Sequence, residues 1–353
     1  MERTLIADFG LIDNPDAGIR QLYRDPVNSH RYAREPLIGK MPNGSLICFF
    51  LTGGPNEPHN ANLVMVKRSF DDGRTWTDAE VVFSHPYLGA WATELYLDGS
   101  RPMLVVSLYD ASCPFKMLQT FFSYSDDCGK TWSRPTMADG AVSTCSVRKI
   151  IRLSNGDLLY PVYNTIASDR FLWNREDWYG PDWWNGTHHE CAAVVSPDNG
   201  KTFFRSATIS CGEDNLWEPN CVELEPGHVV MLIRHSDSGF LGRCDSFDYG
   251  RTWGDYRLTD IPNAGSKITA FKVGNKIGVA ANFCSDQRTH LQLRISGDNL
   301  ASWETILPLD EDASLFTYPH VFVDMQQKVL YLAYENYQKH YLLKLTFDEV
   351  GLL

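Results

Sequence analysis

The octapeptide SFDDGRTW, Ser69 to Trp76, recurs along the chain. SDDCGKTW occupies Ser125 to Trp132, SPDNGKTF Ser196 to Phe203 and SFDYGRTW Ser246 to Trp253; a worn copy, SGDNLASW, runs from Ser296 to Trp303. The shared S-x-D-x-G-x-T-W has the residue types of a tight turn. Asp and Ser/Thr side chains can bond the turn's own backbone N–H groups, and Gly accepts positive φ. The closing aromatic is suited to pack on a neighbouring sheet. One such turn would carry little information, but five at intervals of roughly 50 to 70 residues describe a repeat architecture.

A second repeat is interleaved with the first. Apolar runs flank a turn at MPNGSLICFF (41–50), YLDGSRPMLVV (96–106), LSNGDLLYPVY (153–163), LEPGHVVMLIR (224–234), VGNKIGVAANF (273–283) and VDMQQKVLYLAY (323–334). Gly after Asn, Asp or Pro between β-branched or aromatic runs signals a hairpin. Six hairpins, five of them followed by the aspartate turn, predict six four-stranded antiparallel units of about 50 residues each. The expected fold is an all-β, six-bladed propeller forming one domain over residues 1–353. The last unit lacks its own aspartate turn, so the segment before Arg31 is expected to supply a strand that closes the ring.

Composition narrows the partners. A net charge of −12 argues against nucleic acid or an anionic membrane surface, which favour basic patches. An anionic ligand would need a local cluster of Arg or Lys. The nine cysteines are scattered and lack C-x-x-C spacing, the pattern of reduced thiols rather than of a disulfide framework or zinc site. The N-terminal MERTLIADFGLIDNPDAGIRQ has no apolar h-region, so a cytoplasmic location is expected. No metal or organic cofactor is expected, and oligomerisation is left open.

The blade register assigns residues to faces. Hairpin turns and aspartate turns share one rim. The opposite rim collects first-strand starts, second-strand ends and the loops between second and third strands, where a rigid frame holds ligand sites. That rim receives Arg34, Glu35 and the loop GGPNEPHNAN (53–62) from the first unit, and Trp91, Thr93, Glu94, Tyr109 and Asp110 from the second. The third gives Ser146, Arg148 and a long loop from about Asn164 to His189. The fourth gives Trp217, Glu218, Asn220, Arg234 and His235; the fifth gives Arg288 and the sixth Tyr318.

Arg34, Arg234 and Arg288, from three different units, would form an anion site, because the guanidinium fork fits a carboxylate or phosphate. Tyr318 and Glu218 suggest a phenol nucleophile with a carboxylate base. That pair suits an anomeric carbon bearing its own carboxylate, which would repel an Asp or Glu nucleophile. The other reading of the pair is a Tyr buried by its ring and a Glu exposed on the rim.

At these residues the chain resembles the sialidase superfamily. AREPLIGKMPNGSL looks like the family's Tyr-Arg-Ile-Pro segment, which puts Arg34 on its first carboxylate-binding arginine. EPNCVELEPGHVVMLIR is similar to the segment with the catalytic glutamate and second arginine, here Glu218 and Arg234. DQRTHLQLRIS resembles the region of the third arginine, Arg288, and FTYPHVFVD with YLAYEN resembles the segment of the nucleophilic tyrosine, Tyr318. The resemblance runs from about residue 31 to 336. It implies a retaining exo-glycosidase that cleaves a terminal acidic sugar such as sialic acid through a tyrosine nucleophile.

Two departures bear on chemistry. The family carries an acid/base Asp in the first unit's loop, but GGPNEPHNAN has none, which leaves Glu57 as the candidate with Glu94 and Asp110 in reserve. An exposed loop Glu beside Pro58 is the competing reading. Arg-Glu-Pro also replaces Arg-Ile-Pro, adding a charge beside the arginines. Trp91, Glu94 and Trp217 complete the expected substrate-binding set. The loop NTIASDRFLWNREDWYGPDWWNGTHHE holds Trp173, Trp178, Trp183 and Trp184, as a sugar platform, a lid or a self-packed loop. A non-catalytic sugar-binding propeller and a lyase or glycosidase for a uronic-acid-type sugar remain the alternatives.

Overall fold

The structure, a computed structural model, describes residues 3–8, 33–54, 57–98, 101–111, 118–167, 187–212, 214–236, 238–309, 316–336 and 339–353. Twenty-five strands form six antiparallel sheets, and no helix occurs among the described residues. Blade one is β2 (Ala33–Lys40), β3 (Leu46–Thr52), β4 (Leu63–Ser69) and β5 (Glu80–Phe83). Blade two is β6 (Gly89–Tyr96), β7 (Met103–Tyr109), β8 (Gln119–Tyr124) and β9 (Thr136–Met137). In blade three the first strand is split into β10 (Ser146–Val147) and β11 (Ile151–Arg152), followed by β12 (Leu158–Ala167), β13 (Thr187–Ser196) and β14 (Phe204–Arg205). Blade four is β15 (Leu216–Glu225), β16 (His228–His235), β17 (Phe240–Ser246) and β18 (Arg257–Pro262). Blade five is β19 (Thr269–Val273), β20 (Lys276–Asn282), β21 (Leu291–Ser296) and β22 (Thr305–Pro308).

Blade six is β23 (Thr317–Asp324), β24 (Val329–Glu335) and β25 (Lys339–Thr346), completed by β1 (Arg3–Asp8). Residues from Arg3 to Asp8 pair with Leu343 back to Lys339. The N-terminal strand thus closes the ring as expected, and pairing the first strand to the last turns an open row of sheets into a circle.

Each second strand is a nearly unbroken apolar run because both its faces are covered by neighbouring blades. LICFFLT of β3 is buried throughout, as is VLYLAYE of β24. Five apolar clusters each span a pair of adjacent blades, among them Leu37 and Phe49 with Ala90 and Val106, and Val222 and Leu232 with Ala270 and Val279. Another, centred on blades three and four, extends to Leu51 of blade one and Trp91 of blade two. The core is a ring of interfaces between blades.

The aspartate turns join third to fourth strands. In the first, Asp71 accepts the Thr75 amide at 2.9 Å and the Thr75 hydroxyl at 2.6 Å, while the Gly73 amide donates to Ser69 Oγ at 2.8 Å. Asp127, Asp198, Asp248 and Asp298 repeat the arrangement. In the worn copy Leu300 stands at the glycine position with φ of +73°. A left-handed residue costs roughly 1–2 kcal/mol, but Leu300 is buried in the cluster between blades four and five, and burying a leucine gains about as much or more.

Four of the six first strands carry a register break. It falls between Arg34 and Leu37, Ala92 and Glu94, Trp217 and Asn220, and Thr317 and His320. In three of them the break contains a residue with positive φ followed by proline: Glu35 (+54°), Glu218 (+46°) and Tyr318 (+54°). Proline has no N–H to give the ladder, and a bulge re-aims the side chain before it. A residue preceding proline normally stays extended, so left-handed conformers at three equivalent positions hold strain of the kind found at functional sites.

Candidate active site

The bulges gather side chains from separate blades around the propeller axis. Two guanidiniums approach the Tyr318 ring. Arg34 Cζ is 4.4 Å from its centroid and Arg288 Cζ 5.4 Å, while Arg288 Nη1 donates to the Tyr318 hydroxyl at 3.3 Å. Arg234 donates to Glu218 Oε2 at 2.7 Å and interacts electrostatically with both Glu218 and Tyr318. The three sequence-predicted arginines therefore share one locus. Glu218 does not hydrogen-bond the Tyr318 hydroxyl; both its oxygens are held by arginines.

Each arginine is itself oriented. Arg34 donates to the fully buried Glu335 at 3.3 Å and lies 3.4 Å from Glu57. Arg288 also donates to the Gly265 carbonyl at 2.9 Å. Trp217 lies beside Arg234, whose Cζ is 5.5 Å from its ring, and stacks on His189 with centroids 3.3 Å apart.

Beneath this group is a buried ion network; the blade register placed Glu35, Arg148 and Glu218 on this rim but did not reveal that they pair, or that Lys267 joins them. Arg148 donates to Glu35 Oε2 at 2.9 Å and to Glu218 Oε1 at 2.5 Å, and Lys267 reaches Glu35 Oε2 at 3.3 Å. Trp91 underlies Arg148, with Cζ 4.5 Å from its ring. Burial alone would raise the Glu35 carboxyl, but Arg148 and Lys267 prevail and hold it at about 2. Burial opposes ionisation of Glu218 as well, and Arg148 and Arg234 outweigh it, keeping that carboxyl below its ordinary value. The charge added by Arg-Glu-Pro is thus answered locally by Arg148 and Lys267.

Removing the central cation should be costly. Arg148→Met would leave Glu35 without its main counter-ion and Glu218 with one arginine instead of two. Breaking a buried pair costs about 3–5 kcal/mol. Denaturant unfolding should register a loss of that order, and Glu35→Gln in the same chain should restore part of it.

Glu57 occupies a contrasting environment. Burial pushes its carboxyl up, Arg34 opposes the rise, and the charges of Glu35 and Glu218 add to it, leaving it at about 7. Its 3.4 Å approach to Arg34 is longer than the 2.7–2.9 Å of a charge-assisted hydrogen bond, so burial prevails. The loop is fixed from both sides. Asn62 ties its ends by bonding the Gly53 carbonyl, the His59 amide and the Tyr109 hydroxyl. Asn60 bonds Asp110 at 3.2 Å and accepts the Ala111 amide at 2.6 Å. Gly53 has φ of +84°, and a Cβ there would lie 2.4 Å from the Ala61 carbonyl oxygen, which explains the glycine.

Other expected residues fall elsewhere. Glu94 follows the break in β6 and lines a cavity farther along the axis with Lys149 and His320. Asp110 serves the loop of blade one. The tryptophans of the long third-blade loop lie outside the described residues, and its flanking strands reach Ala167 and begin again at Thr187. Arg148 was placed on the functional rim without a role, and Lys267 and Glu335 were missing from the expected set. The signal for Arg148 and Lys267 was their place at the head of the innermost strands of blades three and five.

Comparison with known proteins agrees with this architecture. The profile of the BNR repeat-like domain family matches residues 103–330. The chain is 26% identical over 307 residues to a sialidase of Micromonospora viridifaciens, a match covering 76% of this chain and 45% of that protein, so it spans less than half the length of that relative. A Hadza microbial sialidase superposes with a TM-score of 0.71 at 17% identity, over 91% of this chain and 66% of the other. The NanB sialidase from Streptococcus pneumoniae gives 0.69 at 12%, over 90% and 69%. A Dyadobacter fermentans protein described as of unknown function gives 0.73 at 17%, over 98% of both chains. At these identities the structural matches carry the fold alone.

Proposed function

The chain belongs to the BNR repeat-like domain family as a sialidase-like propeller, and from that premise we propose that it is a retaining exo-glycosidase for a terminal acidic sugar such as sialic acid. The observation that carries this reading is the convergence of Arg34, Arg234 and Arg288 on Tyr318. Five cations, Arg34, Arg148, Arg234, Arg288 and Lys267, face Glu35, Glu57, Glu218 and Glu335. With Glu57 part-protonated near neutrality, the locus keeps positive charge for an anionic substrate.

The three arginines grip the sugar carboxylate. As that carboxylate competes with Glu218 for Arg234, Glu218 Oε2 is released to take the Tyr318 proton. Tyr318 Oη bonds to the anomeric carbon, the bond to the aglycone oxygen breaks, and Glu57 gives that oxygen its proton. In the second half Glu57 takes a proton from water, the new C–O bond replaces the tyrosyl bond, and Glu218 returns its proton to Tyr318. The bulged strand starts hold these groups on rigid elements, the condition under which positioning contributes to rate.

The direct test is release of free sugar from an aryl sialoside, whose leaving group needs little acid assistance. Saturable turnover is expected. Binding of the free acidic sugar without any turnover would replace the enzyme reading with a sugar-binding propeller.

A further inference from the structure

Past the bulges, the innermost strands continue toward the hairpin rim and separate around a cavity of 360 Å³. Its lining comes from later positions on the strands that build the site above: Glu94 after Trp91, Lys149 after Arg148, Val222 after Glu218, and His320 after Tyr318. Its outer lining includes the exposed Arg152 and Lys272 at the strand ends, so it opens on the face opposite the arginines. A volume near the lower end of small-molecule pockets, roughly 300–1,000 Å³, suits a compact ligand.

Two polar groups in this wall call for an acceptor. His320 is 6% exposed; its Nδ1 accepts the Ile38 amide at 3.1 Å, and its buried Nε2 has no partner among the described residues. Burial, with Lys149 and Lys267 nearby, holds the ring well below its ordinary value and therefore neutral. With Nδ1 accepting, the single ring proton sits on Nε2, an orphan buried donor of the kind folded proteins seldom leave. Lys149 places one N–H on the Val321 carbonyl at 2.9 Å; burial pulls its ammonium down to about 8 against the opposing charge of Glu94, which lines the same cavity. Glu94, pushed up by burial to about 7, is partly protonated near neutrality and repels an arriving anion less than a full carboxylate would. Leu95, Val222 and Phe271 supply apolar wall, and Tyr96, Glu223, Arg152 and Lys272 complete the polar part of the lining.

We propose that this cavity is a second ligand site that takes a small monocarboxylate with an apolar body. The carboxylate accepts from His320 Nε2 and Lys149 Nζ, and the body packs against Leu95, Val222 and Phe271. The site shares the axis with the arginine group but none of its residues, and stands whether or not Tyr318 performs hydrolysis.

The experiment is a calorimetric titration of the full chain with benzoate, repeated in Arg288→Met, which removes one arm of the upper carboxylate site. Saturable binding of one benzoate per chain is expected to persist in Arg288→Met. In that background Lys149→Met or Val222→Phe should weaken it about tenfold or more. The first removes charge with little change of bulk and the second adds bulk without touching charge, so a folding defect in one leaves the other informative. A crystal soaked in benzoate should place the carboxylate against His320. Loss of all binding in Arg288→Met, unchanged affinity in the cavity variants, or only water in the cavity of the soaked crystal would overturn the proposal. Sugar release, measured separately, reports on Tyr318 and not on this site.

Discussion

Tyr318→Phe is expected to lower kcat/KM on an aryl sialoside by about a thousandfold or more while leaving the melting temperature nearly unchanged. Among the described residues the hydroxyl makes one hydrogen bond, to Arg288 at 3.3 Å, and the ring remains buried against Arg34 and Arg288. Phenylalanine keeps the ring and its contacts with both guanidiniums, so affinity for the free acidic sugar should hold. What is lost is the only atom that can bond to the anomeric carbon from this position. Arg288→Met makes the complementary case. It removes an arm of the carboxylate grip but not the nucleophile, so KM should carry more of its effect. A Tyr318→Phe enzyme within tenfold of the parent would remove the tyrosine from the chemistry, whatever the arginines bind.

What the sequence shows on its own is local. The five aspartate turns have their chemistry within eight residues, Asp71 to Thr75 for example, so their spacing revealed the blades and the blades placed the arginines. What could not be read depends on the ring being closed. Glu35 and Arg148 are 113 residues apart, yet they meet at 2.9 Å because first strands of different blades face one axis. In isolation Glu35 reads as an unwelcome charge beside the arginines; in the ring it is the counter-ion of Arg148 and Lys267. Glu94 illustrates the opposite failure. Its strand start belongs to the functional rim, but the break between Ala92 and Glu94 shifts the alternation of side chains, and a one-residue shift turns a side chain to the other direction. Prolines 36, 219 and 319 were visible in the sequence. That the residue before each would turn left-handed, bringing Glu35, Glu218 and Tyr318 to the axis, was not.

Glu57→Gln should separate the two halves of the proposed reaction by leaving group and by pH. On an unactivated glycoside, departure needs a proton, and the variant should lose about a hundredfold or more. On an aryl glycoside the first step needs no acid, so the loss there should be confined to the second step, where Glu57 activates water. The parent enzyme's kcat/KM on the unactivated substrate should fall above pH about 7, where the acid form of Glu57 is lost, by about tenfold per pH unit. That limb should vanish in the variant. In the enzyme–substrate complex the sugar carboxylate adds negative charge near Glu57, so the corresponding limb in kcat should lie at higher pH than in kcat/KM. Stability offers an independent check, with the sign fixed by linkage. The folded-state value lies above that of an unfolded Glu, so the folded protein binds the proton more tightly. Stability from this group is fully present below the unfolded value near 4.3 and is lost as pH rises through about 7. Glutamine cannot ionise and should not show that loss, which makes the variant relatively more stable than its parent at pH 8. Equal losses on both leaving groups, with the alkaline limb retained, would remove Glu57 as the leaving-group acid. A variant that is more stable at alkaline pH yet unable to cleave the unactivated bond would mark Glu57 as a buried carboxyl held at a cost in stability for the proton it delivers.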